Sequence, residues 1–357
     1  MLVDGGTPAG ILHWIWPPLL IALVVWIAIR TRRRFTGIRS MLVTILLALP
    51  ILAGLGAIYE SIGSWVDRRT HRPPGELVQM ASGARLHLNC SGSGSPPVLL
   101  EAMSGGVSPV WGWIQPALAE ATTVCSYDRP GRGWSDPVDD PQDAEQVASQ
   151  LRELLDKAEV GGPYLPVGHS LGGLYARMFA ARYPDEVAGI VLLDAAHPEQ
   201  FDRIPGEREQ FENFRSFQRT FSPMARIGIW RAYFDSGGSF DFGGLPDADR
   251  VRMKAIWSSP ALFQSQRREL DAVPDIHRQV RPLTSLGSLP LMVISAGEQP
   301  EGWLELQSEM AGLSTNSIHR TFDGASHLSL VFDEQVAGRV SEAVLEVVEA
   351  ARRSSGL

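Results

Sequence analysis

Val167-Gly168-His169-Ser170-Leu171-Gly172-Gly173 sets one serine inside a G-x-S-x-G pattern, between an apolar run and the helix-forming stretch Leu174 to Tyr183. In a chain with 35 glycines the bare pattern says little; a strand before it and a helix after it make it specific. In that geometry a strained turn lifts the hydroxyl clear of the sheet. Small flanking residues let the backbone fold tightly and let substrate approach. Ser170 then stands near the positive end of the following helix, and the Leu171 amide points at a developing oxyanion. The chemistry this allows is acyl transfer through a serine nucleophile, which needs a base and a group to orient that base. Eight histidines compete for the role of base.

The elements that must position these groups begin near Glu76. From there short β-rich runs alternate with helical patterns, which predicts an α/β domain on a mostly parallel sheet. Eight strands are expected: Glu76 to Met80, Arg85 to Cys90, Val98 to Ala102, Thr123 to Tyr127, Tyr164 to Val167, Gly189 to Leu193, Leu291 to Ser295 and His319 to Phe322. Ala144 to Val160 puts Val147, Leu151, Leu154, Leu155 and Ala158 on one helical face. Gln335 to Arg352 does the same with Val336, Val340, Val344 and Val347. Both helices are expected to pack on the sheet, and no internal repeat is visible.

With the elbow in that setting, the sequence resembles the α/β-hydrolase superfamily, and specifically its bacterial esterase-like branch with a cap between the sixth and seventh strands. The resemblance runs from near Glu76 to the C-terminal helix. It rests also on Tyr127-Asp128-Arg129-Pro130-Gly131-Arg132-Gly133-Trp134-Ser135-Asp136, which looks like the family's loop after the fourth strand. That loop reads as structural, with Asp128 and Arg129 a turn-fixing ion pair and Trp134 lining the pocket. The implied domains are a membrane region over 1–72, a hydrolase core over 73–196 and 289–357, and a helical cap over 197–288.

The resemblance also assigns the remaining roles. His327, in Asp323-Gly324-Ala325-Ser326-His327, follows the last strand and precedes the last helix, where the family keeps its catalytic imidazole. His169 is expected to pack beside the elbow, His319 lies on a strand and His13 falls in an apolar stretch. The family's usual acid position, after the seventh strand, here reads Ser295-Ala296-Gly297-Glu298-Gln299-Pro300-Glu301, without an aspartate. Asp194, after the sixth strand, is therefore the first choice of acid and Glu298 the second. The second oxyanion donor falls in Glu101-Ala102-Met103-Ser104-Gly105-Gly106, with Ser104 aligned and Gly105 one step away. Because the donor is a backbone N–H, side-chain identity can vary there. Met103, Trp134 and His169 are expected around the substrate pocket.

About 90 residues separate His197 from Ser288, too many for a plain connection, so they are expected to fold as the cap over the site. Phe211, Phe214, Phe217 and Phe221 recur at helical spacing, followed by Trp230, Tyr233, Phe234, Phe240 and Phe242. They either pack the cap on the core or line an apolar acyl or aromatic pocket. Gly237-Gly238 and Gly243-Gly244 would give the cap mobility.

Upstream, Ile11 to Ile29 and Met41 to Tyr59 carry no charged side chain, and each approaches the ~20 residues that span a hydrocarbon core as a helix. Trp14, Trp16 and Trp65 suit interfacial belts. Between the two stretches lie Arg30, Arg32, Arg33, Arg34 and Arg39, against only Asp4 in the N-terminal tail, which puts the linker in the cytoplasm and everything after Tyr59 outside. The competing reading is an export signal, with Thr31-Arg32-Arg33-Arg34-Phe35 resembling a twin-arginine sequence. Either way the rest of the chain is exported. The whole chain has a formal net charge of -8; five arginines against Asp4 and Glu60 give the first 60 residues +3, leaving -11 for the remainder. Such a balance, with no Lys/Arg tract beyond residue 72, argues against nucleic acid as a partner.

Two cysteines exclude zinc clusters and C-x-x-C redox pairs. In the implied fold Cys90 and Cys125 lie on neighbouring strands and would form a disulfide, or else remain two buried thiols. The combined expectation is a multi-pass, membrane-anchored serine hydrolase acting on a carboxylic ester outside the cytoplasm, with no cofactor or metal. Thioesterase, amidase or peptidase activity on the same triad, or a non-catalytic binding module, are the alternatives. Epoxide hydrolysis and dehalogenation are disfavoured, because those superfamily members use an aspartate where this chain has Ser170.

Overall fold

The computed structural model describes residues 8–31, 37–238, 240 and 242–353. All eight expected strands form, as β1 (Glu76–Gln79), β2 (Arg85–Ser91), β3 (Val98–Glu101), β4 (Val124–Tyr127), β5 (Leu165–His169), β6 (Ile190–Leu193), β7 (Leu291–Ala296) and β8 (Ser317–Phe322). They make one sheet in the order β1-β2-β4-β3-β5-β6-β7-β8. Only the β1/β2 and β2/β4 pairs are antiparallel; every other neighbour is parallel. β3, β4, β5, β6 and β7 are buried along their whole length, as strands covered on both faces must be. β8 starts two residues earlier than the apolar pattern implies. Its backbone pairs with β7 from Leu291↔Ser317 to Ala296↔Phe322, and ladder pairing does not require an apolar side chain at Ser317.

The helices, in chain order, are α1 (Pro8–Thr31), α2 (Ile38–Thr70), α3 (Ile114–Ala119), α4 (Ala144–Lys157), α5 (Leu171–Arg182), α6 (Gln200–Arg203), α7 (Glu207–Gln218), α8 (Phe221–Arg226), α9 (Ile229–Asp235), α10 (Asp247–Ser258), α11 (Pro260–Val280), α12 (Trp303–Ala311), α13 (Ser329–Phe332) and α14 (Glu334–Arg353). α4 begins where Asp143 accepts a hydrogen bond from the Gln146 N–H at 3.0 Å, an N-cap that satisfies one of the helix's orphan donors. It buries Val147, Leu151, Leu154 and Leu155. It stops before the expected Val160 because Glu159 takes a left-handed φ of 56°. α14 buries Val340, Val344 and Val347, as its pattern predicts. Cys90 and Cys125 are direct cross-strand partners on β2 and β4 and are joined as a disulfide.

The chain divides into two compact units. One comprises Pro73–Gln218, Phe240–Met253 and Ala261–Leu357; the other Met1–Arg72, Arg219–Ser239 and Lys254–Pro260. The segment expected to fold as a single cap over 197–288 is thus shared between them. The first unit holds the sheet and its flanking helices. In the second, α1 and α2 pack closely where a Cβ at Gly54 would stand 2.8 Å from Ile21 Cγ1. Among the described residues one helix, Met41–Thr70, is long and apolar enough to cross a membrane, and a shorter apolar helix runs over Ile15–Arg30. Of the two spans expected, the described residues therefore supply one. The arginines of 32–36 and Asp4 lie outside the described residues.

Candidate active site

Ser170 closes β5 and opens α5 with φ 57° and ψ −125°, a conformation that non-glycine residues rarely hold unless the surroundings fix it. Here its N–H donates to the Leu193 carbonyl at 3.0 Å, and its own carbonyl accepts from Gly173 and Ala196 at 2.9 Å each. Two glycines leave no room for side chains. A Cβ at Gly172 would stand 2.2 Å from the Glu101 carbonyl oxygen, and one at Gly168 would stand 2.5 Å from the Gly172 carbonyl oxygen. The first contact brings the start of α5 against the end of β3. The Leu171 N–H is one of the first-turn amides that a helix leaves without an intrahelical acceptor.

His327 lies in the turn between β8 and α13, and its Nδ1–H donates to Asp194 Oδ2 at 2.6 Å. Of the two candidate acids, Asp194 is the one that meets the imidazole. It is fully buried, at the end of β6 with φ 40°. Its carboxylate takes three further donors: the Ala296 N–H at 3.2 Å, the Trp303 Nε1–H at 2.8 Å and the Gln299 amide. Such bonds fix its orientation. Glu298 is exposed, and its backbone N–H is tied to the Ala325 carbonyl at 3.0 Å. The loop after β7, where the sequence was searched for an acid, thus contributes the donors that hold one. Gln299 and Trp303 were missed; their signal was the missing aspartate in that loop, which an acid on β6 makes free to supply partners.

His169 is buried, and its Nε2–H donates to the His327 carbonyl at 3.0 Å, with ring centroids 4.6 Å apart. Burial drives its imidazole well below the usual histidine range, with nearby His327 acting in the same direction, so at neutral pH it puts no charge beside His327.

Met103 and Ser104 are half-buried in the turn after β3. In that turn the Gly105 N–H donates to Glu269 Oε2 at 3.3 Å and the Gly106 N–H to the Met103 carbonyl at 3.0 Å. Asp128 and Arg129 do not form the expected pair with each other. Asp128 meets the buried His87 at 2.8 Å and accepts from the Ser108 and Trp134 amides at 2.7 and 3.1 Å. Arg129 donates to the Ala102 and Met103 carbonyls at 2.8 and 2.7 Å. A one-residue step along an extended loop points successive side chains to opposite sides, which is why neighbours in sequence find separate partners. The Trp134 ring packs on His87, centroids 4.9 Å apart. Of the cap aromatics in this unit, Phe211 packs on Phe201 at 4.8 Å, Phe242 on Phe332 at 6.4 Å, and Phe214 and Phe217 are exposed.

An elbow serine, a buried carboxylate holding an imidazole and a Gly-rich turn follow the C-terminal ends of β5, β6, β8 and β3 in one mostly parallel sheet. The sequence profile of the alpha/beta hydrolase family matches residues 90–343. The chain belongs to that family. An uncharacterized protein of Schizosaccharomyces pombe is 31% identical over 289 residues, 71% of this chain and 52% of the yeast protein, so the chain spans about half the length of that relative. An uncharacterized vacuolar membrane protein of Saccharomyces cerevisiae is 28% identical over 205 residues, covering 50% of this chain and 30% of its own length. Among solved structures, a thermophilic esterase from Thermogutta terrifontis superposes with a TM-score of 0.59 at 21% identity, over 77% of this chain and 98% of that one. The epoxide hydrolase CorEH superposes with a TM-score of 0.61 at 19% identity, over 76% and 98%. At these identities the likeness is one of fold, and family members of both chemistries share it.

Proposed function

We propose that this family member is a serine hydrolase that cleaves carboxylic esters, anchored in a membrane by its apolar N-terminal helix with the hydrolase unit on the extracytoplasmic side. The observation that carries the reading is the 2.6 Å bond from His327 to the buried Asp194, in the unit where Ser170 is held in the strained elbow conformation. Ser170 Oγ attacks the ester carbonyl carbon while His327 Nε2 takes its proton, and Asp194 stabilises the imidazolium that results. The amides of Leu171 and Ser104 donate to the tetrahedral oxyanion. Collapse of that intermediate breaks the bond to the alcohol, which leaves with the proton from His327. Water then repeats the sequence on the acyl-enzyme, releasing the acid and restoring Ser170.

Ser170 at the nucleophile position supports this chemistry over epoxide opening, which the superfamily performs with an aspartate there. Met103 beside Ser104, and Phe242 against Phe332 just beyond His327, favour an ester with an apolar acyl or aromatic part. The Arg30 and Arg39 flanks of the apolar helices and the Cys90–Cys125 disulfide support export of the hydrolase unit.

The test is fluorophosphonate labelling of the detergent-solubilised protein beside Ser170→Ala, with p-nitrophenyl esters of increasing chain length and matched thioesters and anilides. Labelling lost in the variant, with esters turned over fastest, is the expected result. Absence of labelling in folded wild-type protein would refute a serine nucleophile, and faster anilide or thioester turnover would reassign the substrate class.

A further inference from the structure

Glu269 is a carboxylate on the cap helix α11, only 1% exposed. Its Oε2 accepts from Ser104 Oγ at 2.7 Å and the Gly105 N–H at 3.3 Å, and meets Arg132 Nη2 at 2.8 Å. Its Oε1 meets Arg129 Nη2 at 3.1 Å and accepts from the Tyr175 hydroxyl at 3.2 Å. Arg129 reaches from there to the Ala102 and Met103 carbonyls and to Glu101 Oε2 at 3.3 Å. Every residue from Glu101 to Gly105 is therefore gripped by this cluster, by backbone or side chain. Gly105 has φ 70°, and a Cβ there would stand 2.6 Å from Gln266 Nε2 of the same cap helix. Ser104 N–H, between these anchored groups, has no acceptor among the described residues.

We propose that Glu269 is a positioning residue for the oxyanion hole: from the cap, it holds the turn after β3 so that the Ser104 N–H faces the oxyanion formed on Ser170. The inference rests on the serine-hydrolase reading above. A donor to an oxyanion acts only if it is aimed before charge develops, and a turn that begins Ala-Met-Ser lacks the regular backbone constraints that would aim it. Burial alone would push the Glu269 carboxyl up, but Arg132 and Arg129 prevail and hold it at about 2, so the grip persists across the physiological range. Because the grip comes from α11, seating of the cap helix and readiness of the hole are one event.

The experiment compares wild type, Glu269→Gln and Ser104→Ala in the full chain, with turnover expressed per fluorophosphonate-titrated serine. The second readout is Ki for a trifluoromethyl ketone, whose tetrahedral adduct carries the oxyanion. For Glu269→Gln the expected result is a fall in kcat on the order of 10²-fold, KM within about twofold, and Ki weakened in parallel with kcat/KM. Ser104→Ala, which leaves the carboxylate and both arginines paired, is expected to lose roughly tenfold with the same signature; it carries the test if Glu269→Gln fails to fold. A merely structural role would lower the titrated fraction while leaving per-site kcat and Ki unchanged, and that result overturns the proposal. Wild-type protein that does not label with fluorophosphonate would instead refute the serine-hydrolase reading itself.

Discussion

Each unit of the chain holds a cluster of buried arginines and carboxylates. In the hydrolase unit Glu269, Arg129, Arg132 and Glu101 are between 1% and 4% exposed. In the N-terminal unit Glu60, fully buried on α2, meets Arg231 of α9 at 2.8 Å, and Arg231 meets Asp67 one helical stretch on, also at 2.8 Å. Both clusters bear the desolvation of several ions, and neither is evidence of net stabilisation, since an apolar replacement of the whole set is often as stable. The difference is in where the remaining hydrogen bonds end. The Glu269 cluster ends on the hydroxyl, amide and carbonyls of the turn that follows β3, within the candidate site. The Glu60 cluster ends on Ser64 and on the neighbouring helix, at 2.6 Å from Ser64 Oγ, where a close backbone approach between Gly56 and Ile227 already binds α2 to the α8–α9 connection. Equal burial of charge thus holds a turn of the candidate site in one place and a helix in the other.

The widest separation between those two uses comes from Asp194, whose bonds end on His327. Asp194→Asn presents an amide to an Nδ1–H, a Trp303 N–H and a Gln299 N–H, all donors, so the imidazole loses both its tautomer and its support. Per titrated serine, kcat is expected to fall on the order of 10⁴-fold with the thermal unfolding of the sheet unit little changed. A variant that keeps a tenth of wild-type turnover would show that Asp194 is not the acid.

Glu60→Gln is the converse. Removing one partner from a buried pair leaves Arg231 with Asp67 as its one remaining carboxylate and is expected to cost about 3 kcal/mol of stability, read by denaturation in detergent. Turnover per titrated serine should stay within about twofold of wild type, because nothing in the cluster touches the reacting groups. A per-site loss matching that of Glu269→Gln would erase the distinction between the clusters.

How much of this was legible in the sequence follows the range of the interactions. The elbow, the eight strands and the histidine are short patterns with steric or periodic causes, and each was readable from consecutive residues. Asp194 was readable because a strand end and a missing aspartate after β7 are both local facts. Glu269 was not: it lies 165 residues from Ser104, in a cap whose charges look like any solvated helical face until Arg129 and Arg132 arrive from the loop after β4. Those two arginines are visible in the Asp128-to-Trp134 motif, but the sequence offers Arg129 its neighbour Asp128 and offers Arg132 no partner, where the fold brings both to a distant helix. The division of the 197–288 segment between the two units is out of reach of local patterns for the same reason. The segment's length announced a folded insertion, while nothing local told that 219–239 and 254–260 would fall in the N-terminal unit and the rest in the unit of the sheet.

The smallest expected effect tests whether pairing, rather than depth, keeps these groups charged. His277 is on α11 with Glu269, two turns further along, and is buried with its Nδ1–H donating to the Pro198 carbonyl at 3.2 Å and its ring stacked on Phe201 at 4.5 Å. Burial drives its imidazole down to about 4, the Pro198 carbonyl pulling the other way and Arg281 reinforcing the fall. No carboxylate bonds to it, so unlike Glu269 it stays neutral. The unfolded chain, with an ordinary histidine value near 6.5, takes the proton first. Stability from this group is therefore complete above about pH 6.5 and declines as pH falls toward 4, below which both states are protonated. Glu269, held at about 2, stays ionised in the folded chain throughout that window, and the slope it adds near pH 4, where the unfolded carboxyl takes its proton, is common to wild type and His277→Gln and cancels between them. His277→Gln cannot take the proton, so between pH 6.5 and 4 wild type is expected to lose on the order of 2–3 kcal/mol more than the variant in chemical denaturation. Parallel curves for the two would mean that His277 is hydrated in solution, and that α11 is not seated tightly enough for its other buried group to grip the turn after β3.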